Sequence, residues 1–299
     1  MPGNVSAATA PIRPIFAALA GIALFSGMDA AMKIAALGIG AYSAFLLRCI
    51  LGTALIGPVW WRRGGRWPQP SVMRIHILRG VVVAFMGWSF FFALIRLPLA
   101  EAIAISFIAP LIALGLAAIL LGERIEPRAI VAALLGLAGV VVIIGGKIGR
   151  ETMSDEAQWG VAAILVSACL YAYNLVLQRR LALVASPEEI STIQHGIIAL
   201  VLLPAAPFLL QWPEPSLWLP IGAAAVLAVG ALLCLSWAYA RAEAQVLVPI
   251  EYSGFLWAAL LGWLFFDEAL TPSLLVGALM IVCGCWIATR KKRPEMTAL

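Results

Sequence analysis

The stretch Leu97 to Gly145 returns as Ala242 to Arg290, 145 positions later and without a gap. Arg96 falls on Arg241, Glu123 on Glu268, Pro127 on Pro272, Val131 on Val276, Ala133-Leu134 on Ala278-Leu279, and Gly139 on Gly284. An internal duplication is the simplest explanation. Each copy reads as two apolar helices joined by a tight polar turn. Pro127 and Pro272 suit the first position of a helix, where the missing N–H costs nothing. Thr271 offers an N-cap hydroxyl to the second helix of its pair. The apolar segments on either side run to about 20 residues, enough to cross a hydrocarbon core of roughly 30 Å.

Composition supports the same conclusion. Hydrophobic residues make up 63% of the 299 positions and charged residues 12%, against roughly 45–50% and 25% in soluble domains. So little polar surface cannot cover a water-facing exterior, and an all-α integral membrane protein is expected. The five cysteines all lie in apolar segments, and Cys283 and Cys285 face apart on a helix. No disulfide framework, metal site or cofactor follows from them.

Ten spans are expected. They cover about 15–37, 41–61, 72–95, 99–121, 127–145, 160–183, 189–211, 217–240, 245–266 and 272–289. Ser71, Ser186 and Ser216 mark helix starts, Ser186 with Glu189 as a capping box. The chain divides into a disordered arm (1–14), a first five-helix repeat (15–145), an external loop (146–159), a second five-helix repeat (160–290) and a basic tail (291–299). Five spans before the second copy is an odd number, so the two copies enter the membrane from opposite sides as inverted repeats.

Basic residues set the expected orientation. With both termini in the cytoplasm, fourteen arginines and lysines lie inside, while Lys33, Arg96, Lys147 and Arg150 lie near the outer face. The Arg290–Arg293 run then reads as an orientation anchor and not as a nucleic-acid patch. Inverted repeats place a binding site near the midplane and expose it to each side in turn. The chain has no phosphate-loop motif, and its longest connections, 61–71 and 146–159, cannot hold a nucleotide-binding domain. A secondary carrier or facilitator is the expected class.

Polar residues inside spans are costly and by default face a cavity or a partner. Asp29 and Lys33 sit at i, i+4 in the first span, and Arg48 lies at a similar depth in the second. An ion-pair network joining the two spans, and a gating or substrate-carboxylate role for Arg48, both stay open. Glu251 enters the ninth span beyond Pro249, with Arg79 and His195 at comparable depth. Here a structural ion pair and a proton-coupling or amine-binding carboxylate stay open. Trp88, Ser89 and Phe92 in the third span, Tyr171 and Asn174 in the sixth, Trp237 in the eighth, and Tyr252 and Trp257 in the ninth complete the candidate substrate-binding set. Together they describe an apolar cavity with a few polar groups, which suits amino acids or aromatic metabolites better than sugars. Small residues at Ala132, Gly136, Gly139, Gly277 and Gly284 mark the fifth and tenth spans as a close-packed scaffold.

The ten-span duplicated layout, Lys33, Arg48, the alanine run leading to Pro110, and the turn Gly122-Glu123-Arg124 resemble the drug/metabolite transporter superfamily, in particular its EamA-type members. The resemblance covers essentially the whole chain. Val248-Pro249-Ile250-Glu251-Tyr252 is similar to members that move amino acids and related metabolites, including bacterial exporters. Two departures stand out: Asp267 takes the place of the usual turn glycine, and Phe255 lies where the repeat offset would place Pro110, the family's central proline.

The resemblance implies a bacterial inner-membrane carrier of small organic metabolites, with export of hydrophobic or aromatic amino acids first. Uptake of a vitamin, nucleobase or S-adenosylmethionine-like metabolite is the alternative. An intramembrane enzyme acting on lipid head groups is the alternative of another class, but no His/Asp/Glu cluster with metal spacing supports it. The partners are the bilayer and a small molecule. Proton coupling, and monomer against homodimer, stay open.

Overall fold

The computed structural model describes residues 12–109, 112, 131, 134–139, 141–143, 154–242, 247 and 253–289. Pro110, the Glu123 turn, Glu251, Tyr252 and the basic tail lie outside the described residues. All the elements described are helical. They are α1 (Ile12–Arg62), α2 (Pro70–Leu94), α3 (Leu99–Ser106), α4 (Asp155–Ala182), α5 (Pro187–Leu202), α6 (Ala206–Leu209), α7 (Trp218–Arg241), α8 (Ser253–Phe266) and α9 (Pro272–Thr289).

α1 holds the first two expected spans. Gly40, at φ 77° and ψ 154°, breaks it in a conformation only glycine adopts without strain. A straight helix would hold Ile22 and Arg48 about 39 Å apart at 1.5 Å per residue, yet both line one cavity. The two halves are therefore folded back at Gly40. α1 also starts at Ile12, so residues 12–14, expected in the disordered arm, form its first turn. Pro14 is accommodated there because first-turn N–H groups have no helical partner.

Capping follows the sequence in part. Ser154 Oγ accepts from the Ala157 N–H at 3.3 Å, Ser186 Oγ from Glu189 at 3.2 Å, and Thr271 Oγ1 from Leu274 at 3.3 Å. Ser71 caps nothing, because α2 begins one residue earlier at Pro70, and Ser216 lies inside a short 3-10 turn, Pro215–Leu217. The seventh span is interrupted by a second 3-10 turn, Leu203–Ala205, where Pro204 removes a helical donor.

Small residues let the helices approach closely. Gly21 of α1 meets Leu235 of α7, and a Cβ at Gly87 of α2 would stand 2.5 Å from the Phe45 ring. Gly277 of α9 packs on the helical stretch Leu134–Ile143: a Cβ there would lie 2.5 Å from the Gly139 carbonyl oxygen. The two spans expected to form the scaffold touch at these glycines, in the small-residue manner of membrane helices. Several helices reach one central space, whose wall shares Met28, Phe45 and Phe91 with the main buried cluster.

Candidate functional site

The central space is a cavity of about 230 Å³ lined from both halves of α1 and from α2, α3, α4, α5, α7 and α8. α2 contributes Arg79, Val83, Met86, Gly87, Phe90 and Phe91, which form one stripe at helical spacing. Arg79 is 2% exposed. Its Nε donates to Asn174 Oδ1 at 2.9 Å and its Nη2 to Gln178 Oε1 at 3.0 Å, so α4 holds the guanidinium with two neutral amides. Arg48, 6% exposed, stands over the rings of Phe45 (5.0 Å) and Phe91 (5.9 Å), which favour its cation face-on. Asp29 lines the same cavity.

His195 is buried on α5 and faces the cavity. Its Nδ1 lies 2.8 Å from the Ser191 carbonyl. A carbonyl only accepts, so Nδ1 carries the proton of that bond. The ring fits against α1 because position 52 is glycine: a Cβ there would stand 2.5 Å from His195 Cδ2.

A polar latch, none of whose residues lines the cavity, joins the two repeats. Lys33 Nζ donates to Glu268 Oε1 at 2.5 Å and to the Leu97 carbonyl at 2.9 Å, while Glu268 Oε2 accepts from the Leu99 N–H at 2.6 Å. The Phe266 ring lies 4.8 Å from the Lys33 ammonium. Glu268 belongs to the duplicated turn, which thus ties α8 and α9 to the end of α2 and the start of α3. Gly262 makes the approach feasible, since a Cβ there would fall 2.5 Å from Glu268 Oε2. At the opposite ends of the helices, Arg63 pairs with Glu188, and His76 lies 3.1 Å from Glu189.

The expected charge cluster is therefore split. Lys33 turns away from Asp29 and pairs with Glu268, 235 residues away. Asp29 and Arg48 instead face the cavity, together with Arg79, His195, Tyr171 and Asn174. The aromatic candidates on α2 lie elsewhere. Trp88, 39% exposed, sits nine positions after Arg79, half a turn away at roughly 100° per residue. Ser89 and Phe92 are half-buried outside the cavity, and Phe92 stacks on Arg96 at 3.6 Å. Trp237 stacks on Arg241 at 4.2 Å, and Trp257 is 40% exposed. Sequence reasoning missed Phe45, Phe90, Phe91, Ser106, Gln178 and Gln194, all on the cavity wall. Counting helical turns from Arg79 would have found Phe90, and from Asn174 would have found Gln178.

Residues 12–145 match the EamA-like transporter family, and residues 158–290 match it a second time. The chain belongs to the EamA-like transporter family. It is 28% identical over 276 residues to the pseudopaline exporter CntI of Pseudomonas aeruginosa, covering 90% of this chain and 93% of that one. It is 29% identical over 229 residues to the aromatic amino acid exporter YddG of Ancylobacter novellus, covering 74% and 77%. A solved crystal structure shares the fold at a TM-score of 0.67 and 23% identity, covering 92% of this chain and 98% of that one. This EamA chain is thus an all-helical, multi-pass membrane transporter built of two repeats, and not an enzyme. The turn containing Glu268 lies in its second repeat.

Proposed function

We propose that this EamA protein is a secondary carrier that exports amino acids with hydrophobic or aromatic side chains across a bacterial inner membrane by alternating access. Both termini lie in the cytoplasm in this reading, as the bias of basic residues favours. The observation that carries it is the pairing of two buried guanidiniums and one carboxylate with an aromatic wall in a single cavity. A guanidinium suits a substrate carboxylate, Asp29 suits its ammonium, and Phe45, Phe90 and Phe91 suit an apolar side chain.

The cavity volume points the same way: about 230 Å³ lies below the roughly 300–1,000 Å³ of pockets for drug-sized ligands. A relative named as an aromatic amino acid exporter supports the substrate class, and two relatives named as exporters support the direction. The test is counterflow in proteoliposomes preloaded with phenylalanine, tryptophan or leucine. Saturable uptake of labelled amino acid that Arg48→Ala abolishes is the expected result. Exchange of none of the three would overturn the amino-acid assignment.

A further inference from the structure

The described side chains place two cations and one carboxylate on the cavity wall: Arg48, Arg79 and Asp29. Neither guanidinium lies within the 4.0 Å ion-pair distance of a carboxylate among the described residues. Arg48 Nε and Arg79 Nη1 also lack a hydrogen-bond partner among the described residues. Arg79 is otherwise met by two amide oxygens, which solvate its charge without cancelling it. A cation left uncompensated in a dry interior is expensive.

An ordinary zwitterionic amino acid brings one carboxylate and one ammonium. It meets one guanidinium and Asp29, and leaves the second guanidinium as it was. We infer that the cavity reads a second acidic group, so that the favoured cargo is an α-amino acid with an apolar body ending in another carboxylate. This narrows the amino-acid carrier reading and rests on it. The α-carboxylate meets Arg48 and the ammonium meets Asp29, both of which line the cavity. The apolar body crosses the wall near Phe91, and the distal carboxylate completes Arg79. Two negative charges and one positive charge on the cargo then match Asp29, Arg48 and Arg79, the charged side chains that the described residues place on the wall.

The test is calorimetric titration of the full chain in lipid nanodiscs at neutral pH. The ligands are L-glutamate, L-2-aminoadipate, L-2-aminopimelate and L-2-aminosuberate, each paired with its neutral ω-amide, and L-phenylalanine is the reference. A matched amide keeps length and shape but removes the charge. At one or more chain lengths the diacid should bind about tenfold or more tightly than its amide, as a hydrogen bond to a charged group implies. Arg79→Gln should bring that ratio close to one. If it does not, the distal carboxylate does not meet Arg79. Should that variant fail to fold, the ratio on the unaltered chain still decides. Diacid and amide binding alike at every length, while phenylalanine binds, overturns the second acidic group and leaves the carrier reading intact. If no ligand binds and none exchanges in liposomes, both fall.

Discussion

Lys33, which is buried, and Glu268, which is half-buried, form an ion pair at 2.5 Å, and each also holds the backbone of the connection between α2 and α3: Lys33 at the Leu97 carbonyl, Glu268 at the Leu99 N–H. The pair joins the first repeat to the second. A carboxylate satisfied at both oxygens in this way locks the duplicated turn onto the connection between α2 and α3.

Removing one partner should leave the other charged and buried, at a cost of ~3–5 kcal/mol. Glu268→Gln and Lys33→Met are each expected to lower the thermal unfolding temperature in detergent markedly. The apolar double variant Lys33→Met with Glu268→Leu should recover much of that loss, because a buried pair contributes little over a well-packed apolar one. A double variant less stable than either single variant would show that the latch is not the unit described here.

Asp267, beside this latch, has φ 51°, a left-handed conformation at the end of α8. Aspartate tolerates that region better than most residues, yet glycine enters it without the steric cost, about 1–2 kcal/mol, that a Cβ brings. Asp267→Gly should therefore raise the unfolding temperature with Lys33–Glu268 intact. A lower temperature would mean that the Asp267 side chain, not the backbone shape, is what the turn requires.

The two faces of α2 make opposite predictions. Asn174→Ala removes the acceptor from Arg79 Nε and should cut exchange of an amino acid with a distal carboxylate by about tenfold, the effect of losing a hydrogen bond to a charged group. Trp88→Ala, on the exposed face, should leave exchange within about twofold, as surface substitutions do. Proteoliposome exchange rates at equal protein content check both. The reverse order would place the substrate on the Trp88 side of the helix.

These faces show where sequence reading succeeds and where it stops. The duplication, the apolar spans, the Thr271 and Ser186 caps and the depth of Asp29, Arg48 and Arg79 are local or periodic features, legible without a structure. Which way α2 turns is not, because a helix apolar on every side has no hydrophobic face to read. Trp88 and Phe92 look as much like a cavity stripe as Val83, Phe90 and Phe91 do. The partner of Lys33 was hidden for another reason. Asp29 lies one helical turn away, whereas Glu268 is brought close only by the packing of the second repeat.

Orientation is tested by reporter fusions. Those after Arg66 and Arg180 should report the cytoplasm, and one after Pro213 the opposite side, as the distribution of basic residues requires. A Pro213 fusion active in the cytoplasm would contradict the proposed topology.

In the proposed carrier the substrate sits in the central cavity, and thiol protection measures this directly. In a variant lacking the five native cysteines, Ser106→Cys places a thiol on the cavity wall and Trp88→Cys places one on the outward face of α2. An exchanged amino acid should slow maleimide labelling of Ser106→Cys in proportion to its occupancy and leave Trp88→Cys unaffected. Labelling of Ser106→Cys that stays constant while saturating substrate is being exchanged would contradict the account.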